Sequence, residues 1–247
     1  MISQAGFPAV TGLRASTGWS LIVPLKRLRT AKTRLVGFTN GTRQALVVAM
    51  ARDVCAAALA SSAVEQLVVV TRDPDWEHRL GLPRIRYVPE SPADSLNTAL
   101  CRAADECGRT RPNLGVAALT ADLPALRTSE LDDALRLSNE SASFVADASG
   151  IGTTLLAAPP SAPFIPRYGG RSRTAHRESG VKELAVPRNS GIRQDVDTVD
   201  DLRRAYRLGV GHHTAAALIT REVREALCCA NLGLPGGASS SAGERAS

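Results

Sequence analysis

Three carboxylates and a run of cations are the residues of this 247-residue chain best suited to chemistry. Asp195 and Asp197 stand two apart in IRQDVD, residues 192–197, and side chains two apart share a face of an extended segment. Like charges held that close repel, and a divalent cation between them is the usual remedy. Asp122 follows an apolar run, residues 114–120, in Ala121-Asp122-Leu123-Pro124. It is therefore expected at the carboxyl end of a buried strand, where an aspartate can join Mg²⁺ to phosphate oxygens. Lys26, Arg27, Arg29, Lys32 and Arg34 crowd into nine residues after another apolar run. That position suits a polyphosphate in the crevice beyond the strand ends. Plainer readings stand beside these. Asp122 could serve a turn, Asp197 could precede a helix capped by Thr198 with Asp200 and Asp201 in its first turn, and the basic loop could simply be solvated.

Two further segments could meet an anion. In Gly150-Ile151-Gly152-Thr153-Thr154 the glycines let backbone N–H groups approach closely, though a plain hairpin turn would use the same residues. Residues 167–177, RYGGRSRTAHR, hold four arginines around Gly169, Gly170 and Ser172. A phosphate or carboxylate cradle at a helix start and a solvated basic loop both fit that pattern. His176 has no acidic neighbour in sequence and reads as structural.

The elements that must position these groups follow from hydrophobic spacing. Residues 19–23 form a short apolar run closed by Pro24, which suits a buried parallel strand. Apolar residues at Leu46, Val47, Met50, Val54, Ala57 and Ala58 predict a helix over 43–60, with Asn40-Gly41-Thr42 supplying its turn and cap. Strands are expected at 67–70, 85–88, 114–120, 143–146 and 155–158. Asp94 is the expected cap of a helix to about residue 107, Thr128 and Ser129 of the next, and Thr198 of one over 199–208 that stops at Gly209. Alternating strands and helices predict an α/β chain with a mostly parallel central sheet.

Composition narrows the partners. Aromatic residues are only 4% of the chain, so Val, Leu, Ile and Ala must build the core. A formal net charge of +6 suits nucleic acid, an anionic membrane or a phosphorylated substrate. Aromatic-rich RNA-binding signatures and Cys/His finger spacing are absent, which disfavours nucleic acid. No apolar run reaches the ~18 residues of a membrane helix, and the N-terminus lacks a signal pattern. Cys55, Cys101, Cys107, Cys228 and Cys229 are odd in number without C-x-x-C spacing, as reduced cytoplasmic thiols would be. One main domain is expected over 19–211, after a flexible leader, 1–18, and before a helical extension, 212–232. Residues 233–247 read as a disordered tail. Within the extension, 214–227 reads as a packing or oligomer element compatible with a homodimer.

Neither G-x-x-x-x-G-K-[ST] nor G-x-G-x-x-G occurs, which argues against ordinary P-loop ATPases and dinucleotide dehydrogenases. The ordered set LIVPLKRLRTAKTRL (21–35), SLNTAL (95–100), ADLPAL (121–126), SFVADASGIGTTLL (143–156), RYGGRSRTAHRESG (167–180) and QDVDTVDDL (194–202) resembles the guanylyltransferases of deazaflavin coenzyme F420 biosynthesis. The resemblance covers about residues 20–211. It implies a Rossmann-like nucleotidyltransferase fold, a three-layer sandwich like that of nucleotide-diphospho-sugar transferases. It also implies GTP as donor, Mg²⁺ as metal, and GMP transfer to phosphoenolpyruvate with release of diphosphate. Residue by residue, it implies Asp122, Asp195 and Asp197 as metal ligands, and Lys26, Lys32 and Arg34 against the triphosphate, with the two lysines catalytic. Asn97 is implied near the nucleoside, and Thr153, Gly169 and Ser172 against the acceptor. A deazaflavin-transfer enzyme would take the product. The alternatives are the same chemistry on 2-phospho-L-lactate or 3-phosphoglycerate, a molybdopterin or sugar nucleotidyltransferase, and a basic nucleic-acid-binding protein.

Overall fold

The computed structural model describes residues 18–28, 32, 34–35 and 37–219. Almost all of the leader, the tail and most of the 212–232 extension, with its oligomer element, lie outside the described residues. Seven strands form one sheet: β1 (Trp19–Leu25), β2 (Val64–Thr71), β3 (Ile85–Pro89), β4 (Gly115–Leu119), β5 (Ser143–Ala146), β6 (Thr153–Ala158) and β7 (Lys182–Glu183). Their order is β3-β2-β1-β4-β6-β5-β7. Only β6 runs against its neighbours β4 and β5, while the other pairings are parallel.

The two-residue period of the strands divides the core between two helical layers. Leu21, Val23, Leu67, Val69, Ala117 and Leu119 face one side. There they meet α1 (Asn40–Ala60), α2 (Asp75–Leu80) and α4 (Thr128–Leu137), through residues such as Val54, Trp76 and Leu131. Ile22, Val68, Val70 and Ala118 face the other side, against Ala99, Leu100 and Ala103 of α3 (Leu96–Thr110). The expected three-layer α/β sandwich is thereby formed.

β1 runs past Pro24 to Leu25, two residues beyond the expected end at Val23. It pairs with β2 along its whole length but with β4 only through Ile22. Pro24 thus sits where the strand has become one-sided and a missing N–H is tolerated. The separation of β1 from β4 beyond Ile22 opens a crevice at their carboxyl ends, where the connections leave in opposite directions.

Several caps differ from expectation. The α3 cap is Ser95, whose hydroxyl accepts from the Thr98 N–H, while Asp94 accepts from Ser91 and pairs with Arg102. α1 starts at Asn40, earlier than expected, under a Thr39 cap. At α4, Glu130 accepts the Arg127 N–H, and the Thr128 hydroxyl instead donates to the Ala57 carbonyl. Residues 191–193 form a 3-10 turn instead of part of an extended run. The described part of the extension, α7 (His212–Leu218), packs on α1, where Asp53 accepts the N–H groups of His213 and Thr214. Cys55, Cys101 and Cys107 are free thiols. Among the described residues no helix is long and apolar enough to cross a membrane.

Candidate active site

The carboxylates meet because of one backbone bond and one buried side chain. The Val196 N–H donates to the Asp122 carbonyl at 3.0 Å, just beyond the end of β4. Val196 itself is fully buried in a cluster with Leu35, Phe38, Ala125 and Leu202. Asp195 and Asp197 are therefore carried on either side of a hydrophobic peg, beside Asp122. The following helix, α6 (Val199–Leu208), is capped as expected. The Thr198 hydroxyl accepts from the Asp201 N–H, and Asp201 accepts the N–H groups of Asp197 and Thr198. The cap uses Thr198 and Asp201 and leaves the Asp197 carboxylate to Lys32.

Lys32 completes the cluster. Its Nζ contacts Asp197 Oδ1 at 2.5 Å and is also hydrogen-bonded to Asp122 Oδ2. The backbone there is left-handed, with φ of +53°, an unusual conformation for a lysine. It is fixed by the Leu35 N–H donating to the Lys32 carbonyl at 3.0 Å, with Leu35 buried in the same cluster as Val196. Burial alone would lower the Lys32 pKa, but the Asp122 and Asp197 carboxylates outweigh it and hold the ammonium above its usual value. Asp195 is pushed up to about 7 by burial and then by Asp122, Asp147 and Asp197, with Lys32 opposing.

Among the described residues negative charge remains in excess at this point. The second Asp122 oxygen, Oδ1, is buried without a hydrogen-bond partner among the described residues. An orphaned carboxylate oxygen beside two further aspartates fits a divalent cation. Among the described residues no group of three or more His, Cys, Asp or Glu is already arranged to hold one.

A cleft of about 420 Å³ opens between the carboxyl ends of β1 and β4, lined by Lys26, Lys32, Arg34, Thr120, Asp122 and Asp197 among others. The basic loop is pinned at its start. The Trp76 indole donates to the Lys26 carbonyl at 3.0 Å, and the Leu28 N–H to Asp73 at 3.3 Å. Sequence reasoning missed both anchors; the only signal was their place directly after β2.

A second region collects the remaining candidates. Buried Asp147 accepts the N–H groups of Ile151 and Gly152 at 2.9 and 2.8 Å and the Ser149 hydroxyl at 2.9 Å. The anion that the glycine turn binds is thus the chain's own aspartate. A Cβ at Gly152 would lie 2.6 Å from Asp147 Oδ2, so glycine is required there by close approach. His176 Nε2 accepts the Arg167 N–H at 2.9 Å, which leaves the proton on Nδ1, 2.9 Å from the Thr153 hydroxyl. Burial pushes its pKa down to about 4, with the Ser172 carbonyl opposing and the Arg167 charge adding to the fall. The imidazole is a neutral structural link, as expected.

Asn97 stands in the first turn of α3, and its amide is engaged with Tyr168. Nδ2 donates to the Tyr168 carbonyl at 3.0 Å while Oδ1 accepts the Tyr168 N–H at 2.8 Å. The Tyr168 hydroxyl donates to the Ala118 carbonyl of β4 at 3.0 Å. Gly169 is exposed, and its carbonyl accepts the N–H of buried Ser172 at 3.2 Å, opening α5 (Ser172–Glu178). Thr153, Gly169 and Ser172 are therefore brought into one neighbourhood through His176 and the 167–172 turn. Arg173 and Arg177 are spent on Glu183, whereas Arg167 and Arg171 are exposed and make no ion pair among the described residues.

With this geometry in place, likeness to known proteins becomes informative. Residues 19–220 match the family described as "Guanylyl transferase CofC like". The chain is 49% identical over 201 residues to the phosphoenolpyruvate guanylyltransferase of Streptomyces avermitilis, covering 81% of this chain and 93% of that one. It is 47% identical over 203 residues to that of Thermomonospora curvata, covering 82% and 89%. The solved structure of a Desulfovibrio desulfuricans G20 protein assigned as a nucleotide-diphospho-sugar transferase matches with a TM-score of 0.63 at 18% identity. That match covers 85% of this chain and 96% of the other, and it is a likeness of fold. The chain belongs to the CofC-like guanylyl transferase family.

Proposed function

We propose that this protein transfers GMP from GTP to phosphoenolpyruvate, forming enolpyruvoyl-2-diphospho-5′-guanosine and diphosphate for coenzyme F420 biosynthesis in the cytoplasm. The observation that carries the reading is the cleft at the β1 and β4 ends, where Lys26, Lys32 and Arg34 face Asp122 and Asp197 in a chain of this family. An acceptor phosphate oxygen attacks the α-phosphorus in line. The new O–P bond forms as the bond to the α,β-bridging oxygen breaks, and diphosphate leaves with that electron pair. The acceptor phosphate is already ionised at neutral pH, so the reaction needs positioning and charge neutralisation more than a general base.

Lys26, Lys32 and Arg34 bind the triphosphate and take up charge that develops on the leaving diphosphate. Thr153, Gly169 and Ser172 hold the acceptor, with Arg167 and Arg171 supplying cations at the same turn. Asp122, Asp195 and Asp197 would hold Mg²⁺, which supplies neutralisation at the α-phosphate and shields the two anions from each other. The partners are thus GTP and a small phosphorylated acid, without nucleic acid or membrane, and the product passes to a deazaflavin-transfer enzyme.

The test is diphosphate release from GTP and Mg²⁺ by the purified protein, with phosphoenolpyruvate, 2-phospho-L-lactate and 3-phosphoglycerate compared and the deazaflavin-transfer enzyme added as a trap. Release with phosphoenolpyruvate alone is the expected result. A preference for either other acid reassigns the acceptor, and silence with all three overturns the reaction.

A further inference from the structure

In sequence the basic loop and the aspartates stand in separate segments, one suited to phosphate and the other to metal. The structure joins them through Lys32, whose ammonium contacts both Asp122 and Asp197. We infer that Lys32 is a tethered counter-ion, held against Asp122 and Asp197 where a divalent cation would bind and competing with it for them. The inference rests on the proposed reading of these aspartates as metal ligands.

Three observations support it. The lysine is built into the place, because its left-handed backbone is locked by the Leu35 N–H and Leu35 is buried against the same cluster as Val196. Its neutralisation is incomplete among the described residues, since one ammonium is shared by two carboxylates and Asp122 Oδ1 has no hydrogen-bond partner there. The same side chain also lines the cleft with Lys26 and Arg34. A cation entering the aspartates therefore returns an ammonium to the cleft, where an anionic ligand can take it. Conversely, an anion that draws Lys32 away uncovers the aspartates.

Competition of this kind lowers apparent metal affinity by the fraction of molecules in which the lysine is seated. It also makes metal and polyphosphate binding mutually reinforcing, because each removes the obstacle to the other. A loop that merely carried positive charge would have neither property.

The test uses Mn²⁺ as probe on the full chain without nucleotide, followed by the electron paramagnetic resonance of the free ion. Lys32→Met is expected to bind Mn²⁺ at least about tenfold more tightly than the unmodified protein. Lys32→Gln, which keeps a donor but no charge, serves as the second variant should the first not fold. Adding Asp122→Asn to either should abolish the gain. An independent readout needs no substitution. The chain has three lysines, Lys26, Lys32 and Lys182, so limited acetylation read by mass spectrometry resolves each. Saturating Mn²⁺ should raise Lys32 acetylation several-fold while Lys182 stays constant.

Unchanged or weaker Mn²⁺ affinity in the folded variants overturns the inference, as does Lys32 acetylation that ignores Mn²⁺. Absence of Mn²⁺ binding in every protein overturns it together with the metal reading of the aspartates. None of these measurements depends on turnover, so a failure of the proposed reaction is separately visible.

Discussion

The charged centre around Lys32 and the neutral network around His176 solve the same problem, holding polar groups near a cleft, in opposite ways. At the centre, two aspartates share one ammonium beside a third, a carboxylate oxygen has no hydrogen-bond partner among the described residues, and Asp195 is pushed up to about 7 by burial and its neighbours. In the network, His176 uses both ring nitrogens, Asn97 pairs with both backbone groups of Tyr168, and Asp147 takes up the N–H groups of its turn. Among the described residues the first region has bonding capacity left over. The second is saturated, so it gives up stability when any member is removed. One exchanges partners; the other fixes a shape.

The sharpest way to break this contrast is at the centre. Asp195→Asn or Asp197→Asn should lower diphosphate release by about a thousandfold, the scale expected for removing a charged group from a phosphoryl-transfer site. The melting temperature should stay within a few degrees, and a large loss of stability would make the centre structural. Next comes acid unfolding of the network. His176 has a folded pKa near 4 against an ordinary 6.5, so below 6.5 the unfolded chain binds the extra proton. Its contribution is complete above pH 6.5 and is lost as pH falls through 4, about 3 kcal/mol in all. Urea unfolding between pH 4 and 7 should show this slope in the unmodified protein, and His176→Phe should flatten it.

Asn97→Ala sharpens the comparison further. Removing both bonds to Tyr168 should cost about 2 kcal/mol of stability. If Asn97 acts through the 167–172 turn, KM for the acceptor rises about tenfold with KM for GTP nearly unchanged, equivalent to about 1.4 kcal/mol. A rise confined to GTP would return Asn97 to the nucleoside. The smallest effect is expected away from both regions, where Asp133→Asn breaks a surface pair with Arg136 and should change stability by about 0.5 kcal/mol or less.

Legibility followed the range of the interactions. Strand β4 and the position of Asp122 could be read because an apolar run closed by proline is a local signal, and the Thr198 cap and the Gly209 stop are local too. The reversal of β6 against β5 was legible only in the hairpin-turn alternative at 150–154, since a four-to-six-residue apolar strand itself carries no mark of its direction. Asp94 lost the cap of α3 to Ser95 because either residue suits the role and a nearby arginine claimed the carboxylate. The site suffered most from distance. Asp122 meets Lys32 across 90 residues, and Asn97 meets Tyr168 across 71, so nothing in their neighbourhoods announces the pairing. Asp147 was the near miss. Its glycine turn is legible as an anion site, but the anion it serves lies just upstream in the same segment.

The bond from Val196 to Asp122, with Val196 sunk in the core, has a consequence for how such a chain can drift. The spacing of the aspartates is set by a peg and not by the intervening chain, so insertions in the surface connection at 159–166 leave the cluster where it is. A single residue inserted between Asp195 and Asp197 would instead turn a carboxylate into the hydrophobic cluster. The connection at 159–166 can therefore change length against a constant charged centre, while the saturated contacts of Thr153, His176 and Tyr168 that flank it hold their shape.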